Sequence, residues 1–165
     1  MKKYFLLFFV LFFVACGYKP TVDVVKDNLK GNIYIDVPID IHNIKNSILL
    51  RESLIDIFAN KFAGNIVNNK NMADLFVSAK ILNIKETQLE SDIGYSKSYR
   101  ESVTLQVKYN QKNKRIEKIV LENYHDFVVA DDSIINQQKK DKAIKIAIDN
   151  ALLDLPSKIA INSID

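Results

Sequence analysis

The feature that most constrains the fold is an alternating segment in the second half of the chain. Between Ser102 and Tyr109 every second residue is apolar and its neighbours are polar. The apolar set is Val103, Leu105, Val107 and Tyr109, and the polar set is Ser102, Thr104, Gln106 and Lys108. Because successive side chains of a strand point to opposite faces, this period of two predicts a strand with one face in a core. The chain must therefore contain a sheet with at least one covered face.

Three other segments have the pattern of strands. Residues 33–37 alternate and end at Pro38, which has no backbone N–H to donate. Residues 75–84 alternate until the apolar phase shifts at Leu82, which predicts a long strand bent by a bulge. Residues 116–129 predict a further strand, but a continuous apolar run in it leaves the register open.

Two segments have helical period. The first begins after Asn43, a possible N-cap, and is expected to end at Gly64-Asn65, where a left-handed residue commonly closes a helix. The second follows Asp131-Asp132-Ser133, which offers N-cap chemistry, and stops before Pro156. The predicted buried stripes are Ile44, Ile48, Ile55, Phe58, Phe62 and Ile66 in the first helix, and Ile144, Ile148, Ala151, Leu152 and Leu155 in the second.

The predicted order of elements is β-α-β-β-β-α. A right-handed crossover through the first helix would place the first strand parallel to a neighbour, with an antiparallel meander beside it. We therefore expect an α+β fold, a mixed four-stranded sheet with two helices packed on one face, in a single domain over residues 32–165.

The N-terminus has the order of a secretory signal. Lys2 and Lys3 precede an apolar run over residues 4–14, the small residue Ala15 and then Cys16, the only cysteine. The run is roughly half the ~20 residues that a membrane-spanning helix needs. We expect a signal peptide over residues 1–15. The alternatives are a membrane-spanning helix and an ordinary signal peptide that leaves a free thiol.

The residues around the cysteine resemble a lipobox. Phe13-Val14-Ala15-Cys16 is similar to the site at which bacterial lipoproteins are acylated and then cleaved. The resemblance implies a covalent lipid on Cys16, with residues 16–31 as the lipidated N-terminus and tether. Gly17 follows the cysteine where Asp would favour inner-membrane retention, so export to the outer membrane is compatible with the sequence.

Composition does not predict an enzyme or a nucleic-acid-binding protein. The formal charge of +3 falls to +1 without Lys2 and Lys3, too little for a global nucleic-acid signal. The chain has two histidines and no glycine-rich phosphate loop. His125 and Asp126 could be two members of a triad, but neighbours on a strand point to opposite faces. Asp131-Asp132 fits helix capping better than cation binding, and we expect no metal and no cofactor other than the covalent lipid.

The segment over residues 86–100 predicts an exposed hairpin tip with a candidate binding group. Tyr95 and Tyr99 flank Lys97 and precede Arg100, so amphipathic rings stand beside cations. Such a group suits a lipid headgroup that carries phosphates. The alternative is that these tyrosines pack on neighbouring strands.

The mature chain as a whole resembles the LptE family, the outer-membrane lipoproteins of lipopolysaccharide assembly. The features that carry the resemblance are Cys16-Gly17-Tyr18 with Pro20, the strand Ile35-Asp36-Val37-Pro38-Ile39, the helix over residues 50–62, Ala73-Asp74-Leu75, Tyr99-Arg100 before residues 103–109, and the final Leu152-Leu153-Asp154-Leu155-Pro156.

The resemblance implies a non-enzymatic protein on the periplasmic side of the outer membrane. It would plug and stabilise the β-barrel translocon LptD and assist the insertion of lipopolysaccharide into the outer leaflet. Lys97, Arg100, Tyr95 and Tyr99 are the candidates for lipopolysaccharide contact. Two alternatives stay open: a lipoprotein accessory subunit of another envelope secretion or assembly machine, and a periplasmic enzyme or small-ligand binder.

Overall fold

The structure is a computed structural model that describes residues 31–60, 63–91, 97–111, 115–129, 133–155 and 158. The predicted signal peptide, Cys16 and most of the tether lie outside these residues and stay predictions. The elements are β1 (Asn32–Asp36), α1 (Ile44–Asn60), β2 (Asn65–Ile66), a 3-10 turn (Lys70–Met72), β3 (Leu75–Ser91), β4 (Lys97–Gln111), β5 (Glu117–Val129) and α2 (Ser133–Leu153). Neither helix in these ranges is long and apolar enough to cross a membrane.

The five strands form one mixed sheet in the order β2-β1-β3-β4-β5. β1 runs parallel to β3, while β3, β4 and β5 form an antiparallel meander. The predicted α+β class and the parallel pairing of the first strand are therefore confirmed. The predicted four-stranded sheet is corrected to five strands, because Asn65 and Ile66 pair in parallel with Asn32 and Ile33 at the edge. Two residues are too few to show a sequence period, so this strand was read as the end of the helix.

Helix α1 exists where the apolar period predicts it, and it buries part of the predicted stripe, since Phe58 is buried and Ile55 packs against the core. Its buried apolar side chains are Leu50, Leu54, Ile57 and Phe58. Ile44 and Ile48, which the predicted stripe included, are 52% and 50% exposed. Since the segment carries two overlapping apolar stripes at helical spacing, packing against the sheet selects between them.

The end of α1 differs from the predicted glycine cap. Ala63, not Gly64, has the left-handed backbone, with φ of 51°. The Gly64 amide donates to the Phe58 carbonyl at 3.1 Å. Gly64 is needed for a different reason, because a Cβ there would lie 2.2 Å from Ile33 Cδ1 in the core.

Helix α2 buries the face that the sequence predicts. Its buried residues are Ala143, Ile144, Ala147, Ile148, Ala151 and Leu152, followed by Leu155. All of these except Ala143 form one hydrophobic cluster with the buried apolar side chains of α1 and the inward residues of the sheet. Both helices therefore pack on one face of the sheet, which we call the inner face.

Strand β3 contains the predicted bulge and has two different environments. Its register with β4 shifts between Ile81 and Asn83, so Leu82 is the extra residue. On its other side, β1 pairs only with residues 75–78. Within the described ranges, the rest of β3 has no strand on that side.

The structure shows which residues of strand β5 face the core, a point that the sequence left open. Ile119 and Leu121 lie in the core, while Val120 between them is exposed on the opposite face. Val120 pairs directly with Gln106, and Ile119 pairs with Val107.

Candidate binding surface

The face of the sheet opposite the helices, which we call the outer face, carries no described element on top of it. Alternation places on it the residues that pair with the even-numbered positions of β4. Gln106 is one of these, and it is only 8% exposed although it lies on this face. Its register partners are Lys80 and Val120, so side chains from the two neighbouring strands cover Gln106 on the outer face.

Four lysines of the outer face have no ion-pair partner in the part of the chain that the structure describes: Lys85, near the hairpin end, and three that lie further from it, Lys80, Lys108 and Lys118. We call the last three the lysine cluster. Lys108 and Lys118 are direct register partners on β4 and β5. Like charges opposite each other destabilise a sheet, so the facing pair of Lys108 and Lys118 is a local concentration of positive charge. An anionic partner would relieve it.

Aromatic rings flank the lysine cluster on the β1 side. Tyr34 and Phe76 are register partners and stack with their centroids 5.7 Å apart. The Nζ of Lys70 lies 4.7 Å from the centroid of Phe76. This part of the outer face therefore offers aromatic surface beside a cation.

Strand β5 adds exposed apolar surface to the same face. Val120, Tyr124 and Val128 are each about half exposed and are spaced four residues apart. On a strand this spacing places them in one row. The outer face is therefore amphipathic, with the lysine cluster beside an apolar row.

Arg100 is held by two neighbours on the outer face. Its Nε and Nη2 donate to Asp126 Oδ1 and Oδ2 at 2.7 and 2.8 Å, a bidentate pair. Its guanidinium carbon also lies 3.8 Å from the centroid of the Tyr124 ring. The hydrogen bond from Arg100 lowers the pKa of the Asp126 carboxyl and raises the pKa of Arg100.

The structure does not bring the predicted binding residues onto one face. Tyr95 lies outside the described residues. Lys97 is exposed, and Tyr99 stacks on Phe127 with centroids 5.8 Å apart. Tyr99 shares the inner face with Glu101, while Arg100 points to the outer face. Tyr99 therefore packs on a neighbouring strand, as the alternative reading expected, and lipopolysaccharide contact at all four residues stays a prediction.

A buried carboxyl on the inner face was missed by sequence reasoning. Glu101 is 0% exposed, and both of its carboxyl oxygens are buried without a hydrogen-bond partner. Its direct register partner on β3 is Glu86. The Nζ of Lys140 on α2 lies 3.1 Å from Glu86 Oε2 and 3.6 Å from Glu101 Oε1. The alternation of Val103, Leu105 and Val107 contained the sequence signal, because it extends in phase to residue 101.

The two histidines do not join a reactive cluster. His125 is the register partner of Glu101, and Asp126 is engaged by Arg100 on the other face. His42 lies in the exposed turn after β1, where its amide donates to Asp40 Oδ1 at 2.9 Å. Within the described ranges, no three acidic, histidine or cysteine side chains group as metal ligands would. Asp131 and Asp132 lie outside those ranges.

A cleft of about 640 Å³ opens where β1 ends and β3 continues alone. Its walls are the segment after β1, the first turns of α1, the bulge of β3 and the N-terminal half of α2. Lys140 and Ile144 contribute the α2 wall. Polar and aliphatic groups alternate around this cleft, and we assign it no ligand.

Comparison with known proteins defines the fold more closely than the sequence does. No protein-family model and no curated protein matches the chain. Among solved structures, a candidate lipoprotein of Caulobacter crescentus CB15 matches with a TM-score of 0.53 and 12% identity, over 86% of this chain and 93% of that one. Rare lipoprotein B of Shewanella oneidensis matches with a TM-score of 0.47 and 11% identity, over 81% and 96% of the two chains.

A minor lipoprotein of Acinetobacter baumannii matches with a TM-score of 0.47 and 15% identity, over 80% of this chain and 94% of that one. At these identities the likeness concerns the fold alone. The chain therefore shares the fold of the Caulobacter protein over nearly the whole length of both.

Proposed function

We propose that this chain is a non-enzymatic outer-membrane lipoprotein that plugs and stabilises an LptD-like β-barrel and assists lipopolysaccharide transport to the outer leaflet. The observation that carries the proposal is the uncovered outer face. A domain with one filled face and one open, amphipathic face is built to contact a large partner. The lipobox at Cys16 supports the anchor, and the fold that the chain shares with a candidate lipoprotein supports the LptE resemblance.

The charge of the outer face favours a macromolecular partner over a small substrate. The lysine cluster is spread across β3, β4 and β5 and does not converge on one point. A catalytic site needs groups that meet within hydrogen-bond reach of one reacting atom. The spread arrangement instead fits complementary charges on an extended surface, such as the inner wall of a barrel.

The partner is tested by affinity capture. The full-length protein, tagged at its C-terminus, is isolated from detergent-solubilised membranes of its native source, and the bound proteins are identified by mass spectrometry. We expect one large β-barrel protein of the LptD type in stoichiometric amount. The matched control is a variant with Lys80, Lys108 and Lys118 changed to Glu, which should lose the barrel while keeping its melting temperature.

Another outcome would identify a different machine. Stoichiometric recovery of subunits from another envelope secretion or assembly system, without an LptD-like barrel, would replace our proposal with the accessory-subunit alternative. Recovery of no partner by wild type in a membrane fraction that contains the barrel would contradict both.

The anchor has a separate test. We expect Cys16→Ala to block acylation and lipoprotein-type cleavage, so that the protein accumulates unprocessed or leaves the membrane fraction. Mass spectrometry of the mature wild-type protein should show the lipid on Cys16. An unmodified thiol on that residue would overturn the anchor and leave an ordinary secreted protein.

The hairpin end of β3 and β4 is our proposal for lipopolysaccharide contact. Lys97 is exposed there, and Arg100 would exchange its Asp126 partner for a phosphate, which binds a guanidinium in the same bidentate way. Changing Lys97 and Arg100 together to Glu should weaken lipopolysaccharide binding, most strongly at low ionic strength. Equal binding by this variant and wild type, with equal melting temperatures, would remove the hairpin end from the proposal.

A further inference from the structure

Two glutamate carboxyl groups lie beside Lys140 of helix α2, one of them buried and the other 40% exposed. Glu101 is fully buried, and its register partner on the inner face is a second glutamate, Glu86. Register partners have Cβ atoms about 5 Å apart, so the two carboxyl groups are within reach of each other. If both were ionised, two negative charges would share one site with the single ammonium of Lys140.

The geometry of this site favours the protonated form of one carboxyl group. Neither oxygen of Glu101 accepts a hydrogen bond from a donor in the described part of the chain. An ionised buried carboxylate without hydrogen bonds is costly, whereas a protonated one could donate its O–H to Glu86. In that state Glu86 and Lys140 form a neutral ion pair beside a neutral acid.

We propose that the folded protein binds one proton between Glu86 and Glu101, and that this proton fixes the N-terminal half of α2 against β3 and β4. The proton completes the contact because Lys140 is the α2 residue that reaches both carboxyl groups. Loss of the proton leaves an unbalanced negative charge under the helix and loosens it. We call this pH-dependent contact of Lys140 with Glu86 and Glu101 the latch.

The electrostatic environment supports the latch. Burial, and after it the hydrogen bond that the protonated acid can donate to Glu86, raise the pKa of Glu101 to about 7, while the charge of Lys140 opposes this rise. The pKa of Lys140 is itself raised, because its bonds and charge interactions with the two glutamates outweigh its own burial. The proton is therefore lost in a range in which Lys140 stays charged.

In the part of the chain that the structure describes, the titratable groups beside the pair lie on the packed strands and on α2, and Tyr99 shares the inner face two residues before Glu101. Glu86 faces it from β3, Lys140 from α2, and His125 from β5 as the second register partner of Glu101. The neighbouring α2 cations are directed elsewhere, since Lys139 donates to the Val128 carbonyl at 2.9 Å. His125 is the second register partner of Glu101, so the experiment includes a variant without it.

The latch also controls one wall of the cleft. Lys140 and Ile144 line that cleft one helical turn apart on α2. A change in the position of the N-terminal half of α2 therefore changes the width of the cleft. Binding of the proton is therefore coupled to the shape of the cleft through Lys140, which contacts both glutamates and lines the cleft.

The direct test is the titration of Glu101 in the full-length protein in detergent micelles. The ¹³Cδ chemical shifts of its glutamates are followed by NMR between pH 4 and 9. We expect one carboxyl with a midpoint near 7, and we expect it to be absent from Glu101→Gln. Titration of Glu101 at the midpoint of an ordinary exposed glutamate would overturn the proposal.

Three substitutions test which groups set the titration midpoint of Glu101. Two should shift it in opposite directions, and the third should leave it unchanged. Glu86→Gln should shift the midpoint of Glu101 to lower pH, because the neighbouring charge and hydrogen bond that raise it are lost. Lys140→Met should shift it to higher pH, since the cation that opposes protonation is gone. His125→Gln should leave it in place. Shifts of the first two in the same direction would overturn the proposed arrangement.

The conformational part is tested by hydrogen exchange. Amide protection over residues 137–144, corrected for the intrinsic effect of pH on exchange, should fall by at least tenfold between pH 5.5 and 8.5 in wild type. Glu101→Gln, which resembles the protonated acid, should keep its protection at both values. Equal protection of wild type at the two pH values would show that the proton does not fix the helix, and the latch would be wrong.

Discussion

The two ends of the inner face are held together by different forces. Near β1 the inner face is aliphatic, with Val77, Leu105 and Leu121 buried beneath α1 and the C-terminal half of α2. Towards the hairpin end of β3 and β4 the same face carries Glu86, Glu101 and Tyr99. The first region is stabilised by the removal of apolar surface from water, which depends little on pH. The second depends on the charge of a few groups, so the two regions should respond differently to the same perturbation.

The largest effect is expected in the aliphatic region. Leu105→Ala should lower the free energy of unfolding by about 2 to 5 kcal/mol, because it removes a fully buried side chain and leaves a cavity. Phe58→Ala, on α1, should have a comparable effect. The measurement is chemical denaturation, and the matched control is Val120→Ala on the outer face, expected to change stability by about 0.5 kcal/mol. Equal losses at Leu105 and Val120 would mean that the faces of the sheet are assigned wrongly.

The charged region should make the folded protein less stable as the pH rises. The folded pKa of Glu101, about 7, lies above its ordinary value of 4.5, so between these values the folded state binds more protons than the unfolded state. Stability is therefore highest at the acidic end of this window and falls as pH rises through it. The loss is up to about 3 kcal/mol, at 1.36 kcal/mol for each pKa unit.

Urea denaturation at pH 5 and pH 8 measures this dependence. Glu101→Gln should flatten the curve and be more stable than wild type at pH 8. The exposed Glu122→Gln, on the outer face, should reproduce the wild-type slope. A wild-type protein that gains stability from pH 5 to pH 8 would contradict the assignment.

The junction after α1 gives a smaller effect in the aliphatic region. Gly64→Ala should cost about 1 to 3 kcal/mol, because the new Cβ would overlap the buried end of Ile33. Ala63→Gly, one residue earlier, should instead stabilise by about 0.5 to 1 kcal/mol, since Ala63 has a left-handed backbone. Opposite signs at adjacent positions in thermal melts would confirm which residue bears the strain. A stability change of the same sign at both positions would contradict the assignment of the left-handed backbone to Ala63 and of the close contact with Ile33 to Gly64.

The smallest effect is expected on the outer face, and it is a gain. Lys118→Glu should raise stability by about 0.2 to 1 kcal/mol, because an opposite charge would replace the like charge facing Lys108. The gain should shrink at high salt. Lys145→Glu, whose native partner is Asp149 on the same helix, is the matched control and should lose stability instead. A loss of stability in Lys118→Glu would show that the lysine cluster is already neutralised.

The elements with a long, regular period were predictable from the sequence. The alternation from Val103 to Tyr109 and the stripe from Ile144 to Leu155 each predicted the buried face that the structure shows. Each segment has one apolar face, so the hydrophobic effect alone selects its orientation. In α1 two apolar stripes overlap, and only contact with the sheet decides which one is buried.

The features that the sequence did not predict depend on which residues of different strands are opposite each other. The pairs Arg100 with Asp126, Lys108 with Lys118, and Glu86 with Glu101 all follow from strand register. Register is set by the packing of the whole sheet, so no local pattern contains it. In the predicted group at the hairpin tip, Tyr99 and Arg100 lie on opposite faces for a different reason, because neighbours along a strand face opposite sides.

The exposed edge of β5 has a consequence for how the protein behaves when copies of it meet. An edge strand of this length offers backbone groups on which a second chain could grow as a further strand. Here the Val128 carbonyl accepts from Lys139 Nζ at 2.9 Å, and the Tyr124 amide donates to its neighbour Asn123 Oδ1 at 2.8 Å. Side chains thus occupy two backbone groups in the second half of the strand. A copy approaching edge to edge would have to displace them, which disfavours the addition of a further strand along this half of β5.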